Sequence, residues 1–154
     1  MKMYLLEPEV SGGIGENSIL LHENGRIKKA IHLHYEFEGW LGDDLITTSP
    51  FFLVSEKLVN KIQGANLNGY EFEELEISTS ENFKEMYPNR MLPNFKRLIP
   101  LGMVESEKKC VMKWTGHDLC LLNNVDLVVS EKALLVLQQC NLKYCDITEM
   151  YSRE

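Results

Sequence analysis

The stretch FFLVSEKLVNKIQGANLNGYEFEELEIS at residues 51–78 is written a second time near the end of the chain, as DLVVSEKALLVLQQCNLKYCDITEMYS at residues 126–152. Superposing Ser55 on Ser130 aligns the two without a gap. Val54-Ser55-Glu56-Lys57 meets Val129-Ser130-Glu131-Lys132, Gln63 meets Gln138, Asn66-Leu67 meets Asn141-Leu142 and Glu74 meets Glu149. Two copies are too few for a solenoid. They predict one compact domain assembled from two related units.

Each copy opens on a short β-branched and aromatic run, Phe51 to Val54 and Leu127 to Val129, of the kind that forms a buried strand. Ser55 and Ser130 stop the run. A serine there accepts from the free N–H groups of a helix, and Glu56 and Glu131 set negative charge against the positive end of its dipole. In the first helix Leu58, Val59, Ile62 and Ala65 share one face, whereas Ala133 to Leu137 are apolar nearly all round, so the second helix is expected to be the more central. Asn66 and Asn141 are expected to end the helices in the left-handed conformation, with Leu67 and Leu142 packing back.

A second strand follows in each copy, Tyr70 to Ile77 and Tyr144 to Tyr151. In the first it alternates, and its wet face is acidic. A strand, helix, strand unit closes by a right-handed crossover with parallel pairing. The expected fold is therefore α+β: a single domain over residues 1–154 with one mixed β-sheet, helices mainly on one side, the duplicated strand-helix-strand unit at 51–78 and 126–152, and an N-terminal hairpin. Ile19 to His22, the Asn24-Gly25 turn and Ile27 to Phe37 supply that hairpin, and Met1 to Pro8 an edge strand. Lys108 to Trp114 and Leu119 to Leu122 flank the turn of a further hairpin.

With 154 residues, 44% hydrophobic, and no long Ser/Gly/Pro linker, the chain suits one core of ordinary size. Met1 to Glu9 lacks the parts of a secretory signal, and no run approaches the ~18 apolar residues of a membrane span. These features predict a cytoplasmic protein with no membrane partner, in which Cys110, Cys120, Cys140 and Cys145 are reduced. Net charge is −7, and Glu71, Glu73, Glu74, Glu76, Glu81 and Glu85 form one block that repels phosphate backbones. A nucleic-acid partner is excluded on this ground, and a basic protein partner fits.

The loop Ser11 to Ser18 is glycine-rich, but it lacks a following lysine and the phosphate-binding spacings, so it is expected to be a structural turn. His32, His34 and Glu38 have the spacing of a β-barrel metal site and approximate the first metal motif of cupins, without the second motif. They carry the alternative reading, a metal-dependent enzyme. Asp43 and Asp44 are adjacent and point opposite ways in extended chain, which suits a turn or cap better than a catalytic pair, and Trp40 beside them is either a core residue or a partner anchor. Pro88, Pro93 and Pro100 impose an irregular passage between the two units. No Gly-x-Ser-x-Gly, paired Cys-His or His-Glu-x-x-His pattern is present, so neither a catalytic set nor a cofactor is expected.

Leu6-Glu7-Pro8-Glu9 with Ser11 to Asn17, then Tyr35 to Asp44, then the two Val-Ser-Glu-Lys units, together resemble small bacterial immunity proteins encoded beside polymorphic or contact-dependent toxins, including a domain-of-unknown-function group with repeated VSE segments. The resemblance spans most of the chain, and its motifs are structural in character. It implies a non-enzymatic, stoichiometric activity: binding the catalytic domain of a cognate toxin and blocking it in the cytoplasm. With the resemblance, the acidic strand and the lack of a catalytic set, Glu71, Glu73, Glu74, Asp43, Asp44 and Trp40 are the expected partner-binding residues. A regulatory or scaffold domain that binds another protein shares every one of these features.

Overall fold

The computed structural model describes residues 2–152. In chain order it forms β1 (Lys2–Glu7), β2 (Glu9–Val10), β3 (Gly12–Ile14), the hairpin β4 (Ile19–Glu23) and β5 (Arg26–His32), then β6 (His34–Phe37), β7 (Leu45–Thr48) and β8 (Phe51–Ser55). Helix α1 (Glu56–Gln63), β9 (Tyr70–Glu73), β10 (Glu76–Thr79) and helix α2 (Glu81–Met86) follow. The second half comprises β11 (Phe95–Pro100), β12 (Gly102–Glu107), β13 (Cys110–Trp114), β14 (Leu119–Leu122), β15 (Asp126–Ser130), α3 (Glu131–Leu137) and β16 (Asp146–Ser152).

This overturns the expected α+β fold with its single mixed sheet. The described chain is 51% strand and 14% helix, and six strands close into a barrel in the order β1-β15-β14-β12-β13-β16. The helices have 8, 6 and 7 residues, too short to cover a sheet. Nor do the strands flanking a repeated helix pair with each other. Between β8 and β9 lies β11, antiparallel to both, and between β15 and β16 lies β1, again antiparallel to both. The expected edge strand Met1 to Pro8 thus provides an interior strand, with Met1 outside the described residues.

The first half follows the same plan with two interruptions. Its five-stranded sheet β2-β7-β8-β11-β9 and three-stranded sheet β10-β6-β3 join through Ser11, between β2 and β3, and through Glu74-Leu75, between β9 and β10. Reading β2 with β3 and β9 with β10 as single bent strands gives the cyclic order of the closed barrel, and every pairing has the same sense in both halves. The register agrees residue by residue. Phe95 faces Ser55 as Met3 faces Ser130, and Arg97 faces Glu73 as Leu5 faces Thr148. Each half has therefore given its first strand to the other.

Three apolar clusters result. Tyr35, Phe37, Leu53 and Phe95 fill the first barrel, and Met3, Val104, Val128 and Met150 fill the second. The third lies between them, where α1 meets α3, and takes Leu6, Phe52, Val54, Leu58, Ile62, Leu98, Leu127, Val129, Leu134 and Leu137. Alternation along β8 and β15 sends Leu53 and Val128 into a barrel and their neighbours into the shared cluster, which is why these strands are apolar on both faces. Each fully buried Leu or Ile side chain there contributes about 1.5–3 kcal/mol.

Ser55 and Ser130 cap α1 and α3, accepting from the N–H groups of Leu58 and Ala133. The helix ends differ from expectation. Gly64 and Gln138 finish them in right-handed conformation, and neither Asn66 nor Asn141 is left-handed. Buried Ala133, Leu134, Val136 and Leu137 seat α3, although Leu135 is 61% exposed. All four cysteines are free, and burial pushes the Cys145 thiol up to about 12.

Candidate functional site

The turns that enter β7 and β14 decide where half of the expected partner-binding residues lie. Superposing Trp40 on Trp114 aligns Trp40-Leu41-Gly42-Asp43-Asp44-Leu45 with Trp114-Thr115-Gly116-His117-Asp118-Leu119. In each turn the indole N–H donates to the carbonyl three residues on, at 2.9 Å to Asp43 and 2.8 Å to His117. Gly42 and Gly116 take φ of 111° and 90°, a region that side chains avoid. The aspartate that follows is a connector. Ser55 Oγ donates to Asp44 Oδ1 at 2.7 Å and the Asn141 N–H donates to Oδ2 at 2.8 Å, while Ser130 Oγ donates to Asp118 Oδ1 at 2.8 Å and the Asn68 N–H to Oδ2 at 3.0 Å. Each turn holds its own half's helix cap and reaches the loop after the other half's helix.

Asp43 and Asp44 are therefore inside the molecule and present no carboxylate to a partner. Asp43 Oδ2 accepts from the Tyr144 N–H at 2.8 Å, and its Oδ1 is buried without a partner. Burial, then nearby Glu9, raise its pKa above the ordinary value of 3.8. Glu9 is itself buried, accepting from the Leu41 N–H and from Ser11 Oγ, and among the described residues no cation pairs with Glu9, Asp43 or Asp44. The folded state holds the Asp43 proton to a higher pH than the unfolded chain does. The stability this group contributes is complete below pH 3.8 and is lost as pH rises through the raised value. Asp43→Asn, which keeps an acceptor for Tyr144, is expected to raise Tm by a few degrees at pH 8, with the advantage over wild type vanishing in acid. Melting curves of the two proteins across that range check it.

The other expected residues are on the surface but not in one patch. Glu73 bonds to Arg97 at 3.1 Å, and Glu74 to Lys96 at 3.1 Å. Much of the acidic strand's charge is thus met within the chain, leaving Glu71 exposed and without an ion pair among the described residues. The strand breaks at Glu74-Leu75, and Glu74 borders a groove of about 620 Å3 against α1, with Leu75, Leu92 and Phe95 in its wall.

Trp40 belongs to a different feature. Its half-buried indole meets Phe95 edge-on at 6.0 Å, and the Arg90 guanidinium lies 5.0 Å above it and 5.3 Å from the Tyr87 ring. Tyr87 in turn packs on Phe83, which reaches Phe37 in the first barrel. Met86, which ends α2 beside Tyr87, and Met91, beside Arg90 in the connector, are 65% and 89% exposed, and Leu41 beside Trp40 is 56% exposed. Trp, Tyr, Arg and Met are the side chains that dominate protein interfaces. The Pro-spaced passage indicated an irregular segment here, but nothing in the sequence pointed to Arg90 or Tyr87.

His32 and His34 do not form the metal pair that their spacing suggests. His34 is buried, and its Nδ1 accepts the Asn17 N–H at 3.2 Å. Nε2 therefore carries the ring proton and donates to Ser78 Oγ at 2.7 Å, so the ring is no base towards that hydroxyl. His32 bonds to Glu76 at 2.9 Å, and this bond and one from Asn17 hold the Glu76 carboxyl below its usual range. Glu38 is exposed, and among the described residues no three His, Cys, Asp or Glu side chains are placed to hold a metal ion. No helix of the described residues is long and apolar enough to cross a membrane. Comparison with protein-family models, with curated proteins and with solved structures finds no match to this chain.

Proposed function

We propose that the chain acts by stoichiometric protein binding, as an immunity protein that occupies the catalytic domain of a cognate bacterial toxin in the cytoplasm. The observation that carries this reading is the Trp40-Tyr87-Arg90 platform. It is anchored in the first barrel through Phe95 and Phe83, so its rings are ordered before a partner arrives. It is flanked by exposed Met86 and Met91, which adapt to an apolar surface. The net charge of −7 favours encounter with a basic partner, and exposed Glu71 is the carboxylate of the acidic strand free to contribute.

The platform is tested in cells expressing the product of the neighbouring reading frame, the toxin on this reading, and by titrating its purified catalytic domain. Wild-type chain is expected to restore growth. Arg90→Ala removes the guanidinium stacked on two rings, which is expected to weaken binding by about 1–3 kcal/mol, roughly five- to 150-fold, with Tm unchanged. Glu71→Lys is expected to slow association and reduce its salt dependence. Full protection by the Trp40→Ala, Arg90→Ala double variant at equal protein level would remove the platform as the interface. Failure of the wild type to protect would remove the immunity reading itself.

A further inference from the structure

The hairpin β4–β5 has no counterpart in the second half, where β12 turns into β13 through Lys108-Lys109 alone. It makes a two-stranded sheet of its own, and among the described residues β5 pairs only with β4, leaving its outer edge unpaired. Beneath the hairpin a cleft of about 680 Å3 opens towards the Ser49-Pro50 and Asn123-Asn124 turns, at the seam between the halves. It continues into a recess of about 340 Å3 floored by Phe51 and Leu121.

The charge of this cleft is opposite to that of the chain. Four cations, Arg26, Lys28, Lys29 and Arg97, accompany one carboxylate, Glu23, in a protein of net charge −7. Glu23 holds Lys28 at 2.9 Å and Glu73 holds Arg97 at 3.1 Å, while Arg26 and Lys29 have no ion pair among the described residues. Arg26 borders only the outer cleft, Lys29 and Arg97 only the inner recess, and Lys28 both, so the positive charge is strung out. No helix residue lines either part.

We propose that this cleft binds an acidic, extended segment of a partner protein, added as a third strand along the free edge of β5 with its carboxylates against Arg26 and Lys29. An unpaired edge offers main-chain hydrogen bonds to a strand, and a row of cations beside an apolar floor suits alternating acidic and apolar side chains. A compact phosphate prefers donors that converge, at a helix N-terminus or a glycine nest. Lysines along an edge also discourage two copies of the chain from pairing through it. None of the lining residues belongs to the Trp40 platform, so the cleft is a separate site.

A fluorescein-labelled peptide alternating Glu and Val, titrated with the full-length protein by fluorescence polarisation, tests the proposal. Saturable binding is expected, weakening with salt and falling about tenfold in the Arg26→Glu, Lys29→Glu double variant. Both side chains are exposed, and an unchanged Tm separates lost charge from lost fold; if that variant melts early, Arg26→Gln, Lys29→Gln replaces it. The Arg90→Ala variant is expected to bind the peptide as wild type does. Absence of saturable binding, equal binding by the double variant, or stronger competition from tripolyphosphate or a single-stranded oligonucleotide than from unlabelled peptide would each overturn it.

Discussion

Deleting residues 1–8 is expected to abolish cooperative folding of the second half, although none of the deleted residues belongs to it in sequence. β1 lies between β15 and β16 and pairs with both, Met3 facing Ser130 on one side and Met150 on the other. Its removal opens the barrel, leaves two strand edges unpaired and withdraws Met3 from the second barrel and Leu6 from the shared cluster. Those two side chains contribute about 1.5–3 kcal/mol each, and each ladder hydrogen bond adds about 0.5–1.5 kcal/mol net. Their sum rivals the ~5–15 kcal/mol that holds a whole domain. Loss of a sigmoidal melt in circular dichroism, with rapid proteolysis after Leu101, is the expected result. The companion variant should behave oppositely. Because Lys2 faces Tyr151 in an antiparallel pair, a permutant that starts at Glu9 and carries residues 1–8 after the C-terminus on a short turn keeps every pairing and is expected to fold. A permutant that fails to melt cooperatively, or a deletion that melts like wild type, contradicts the strand exchange.

Asp44→Ala is expected to cost about 3–5 kcal/mol, because it leaves a buried serine hydroxyl and the Asn141 N–H without their charged acceptor. That corresponds to a fall in Tm of about 10 °C for a chain of this size. Asp118→Ala removes the equivalent bonds to Ser130 and Asn68 at a less buried position, so its loss should be smaller. Asp44→Asn keeps an acceptor and should recover part of the difference. Equal melting of Asp44→Ala and wild type would show that the aspartate does not bind the halves together.

The repeated unit was legible because it is local. The Ser55 and Ser130 caps depend on neighbours three residues away, and the Asn24-Gly25 turn of the β4–β5 hairpin depends on its own positive φ angles, 53° and 77°. Barrel closure was not legible, since it is set by pairings between distant segments such as Lys2 with Tyr151, which no periodicity encodes. A gapless repeat that begins at Phe51 also leaves out the Trp40 and Trp114 turns. The two copies differ in the next loop, Ser49-Pro50 in one and Asn123-Asn124-Val125 in the other, and that length change breaks a gapless alignment. Asp43 and Asp44 lie in a turn, as their adjacency suggests, with their carboxylates buried rather than offered to a partner. Seen beside Trp114-Thr115-Gly116-His117-Asp118, they belong to a turn whose aspartate is consumed internally. Trp40 stands out in the sequence beside those aspartates, but its Arg90 and Tyr87 partners come from the distant connector, where packing alone brings them together.

The exchange of β1 and β11 has a consequence for synthesis on the ribosome. Met3-Tyr4-Leu5-Leu6 is made well ahead of its neighbours β15 and β16, so at ~5–20 residues per second this apolar segment waits roughly 6–30 s without a partner. The first barrel can close once β11 has emerged, but the second cannot close before β16 has. Nascent chains of this protein should therefore engage chaperones through β1, and products truncated before β15 should carry that strand exposed.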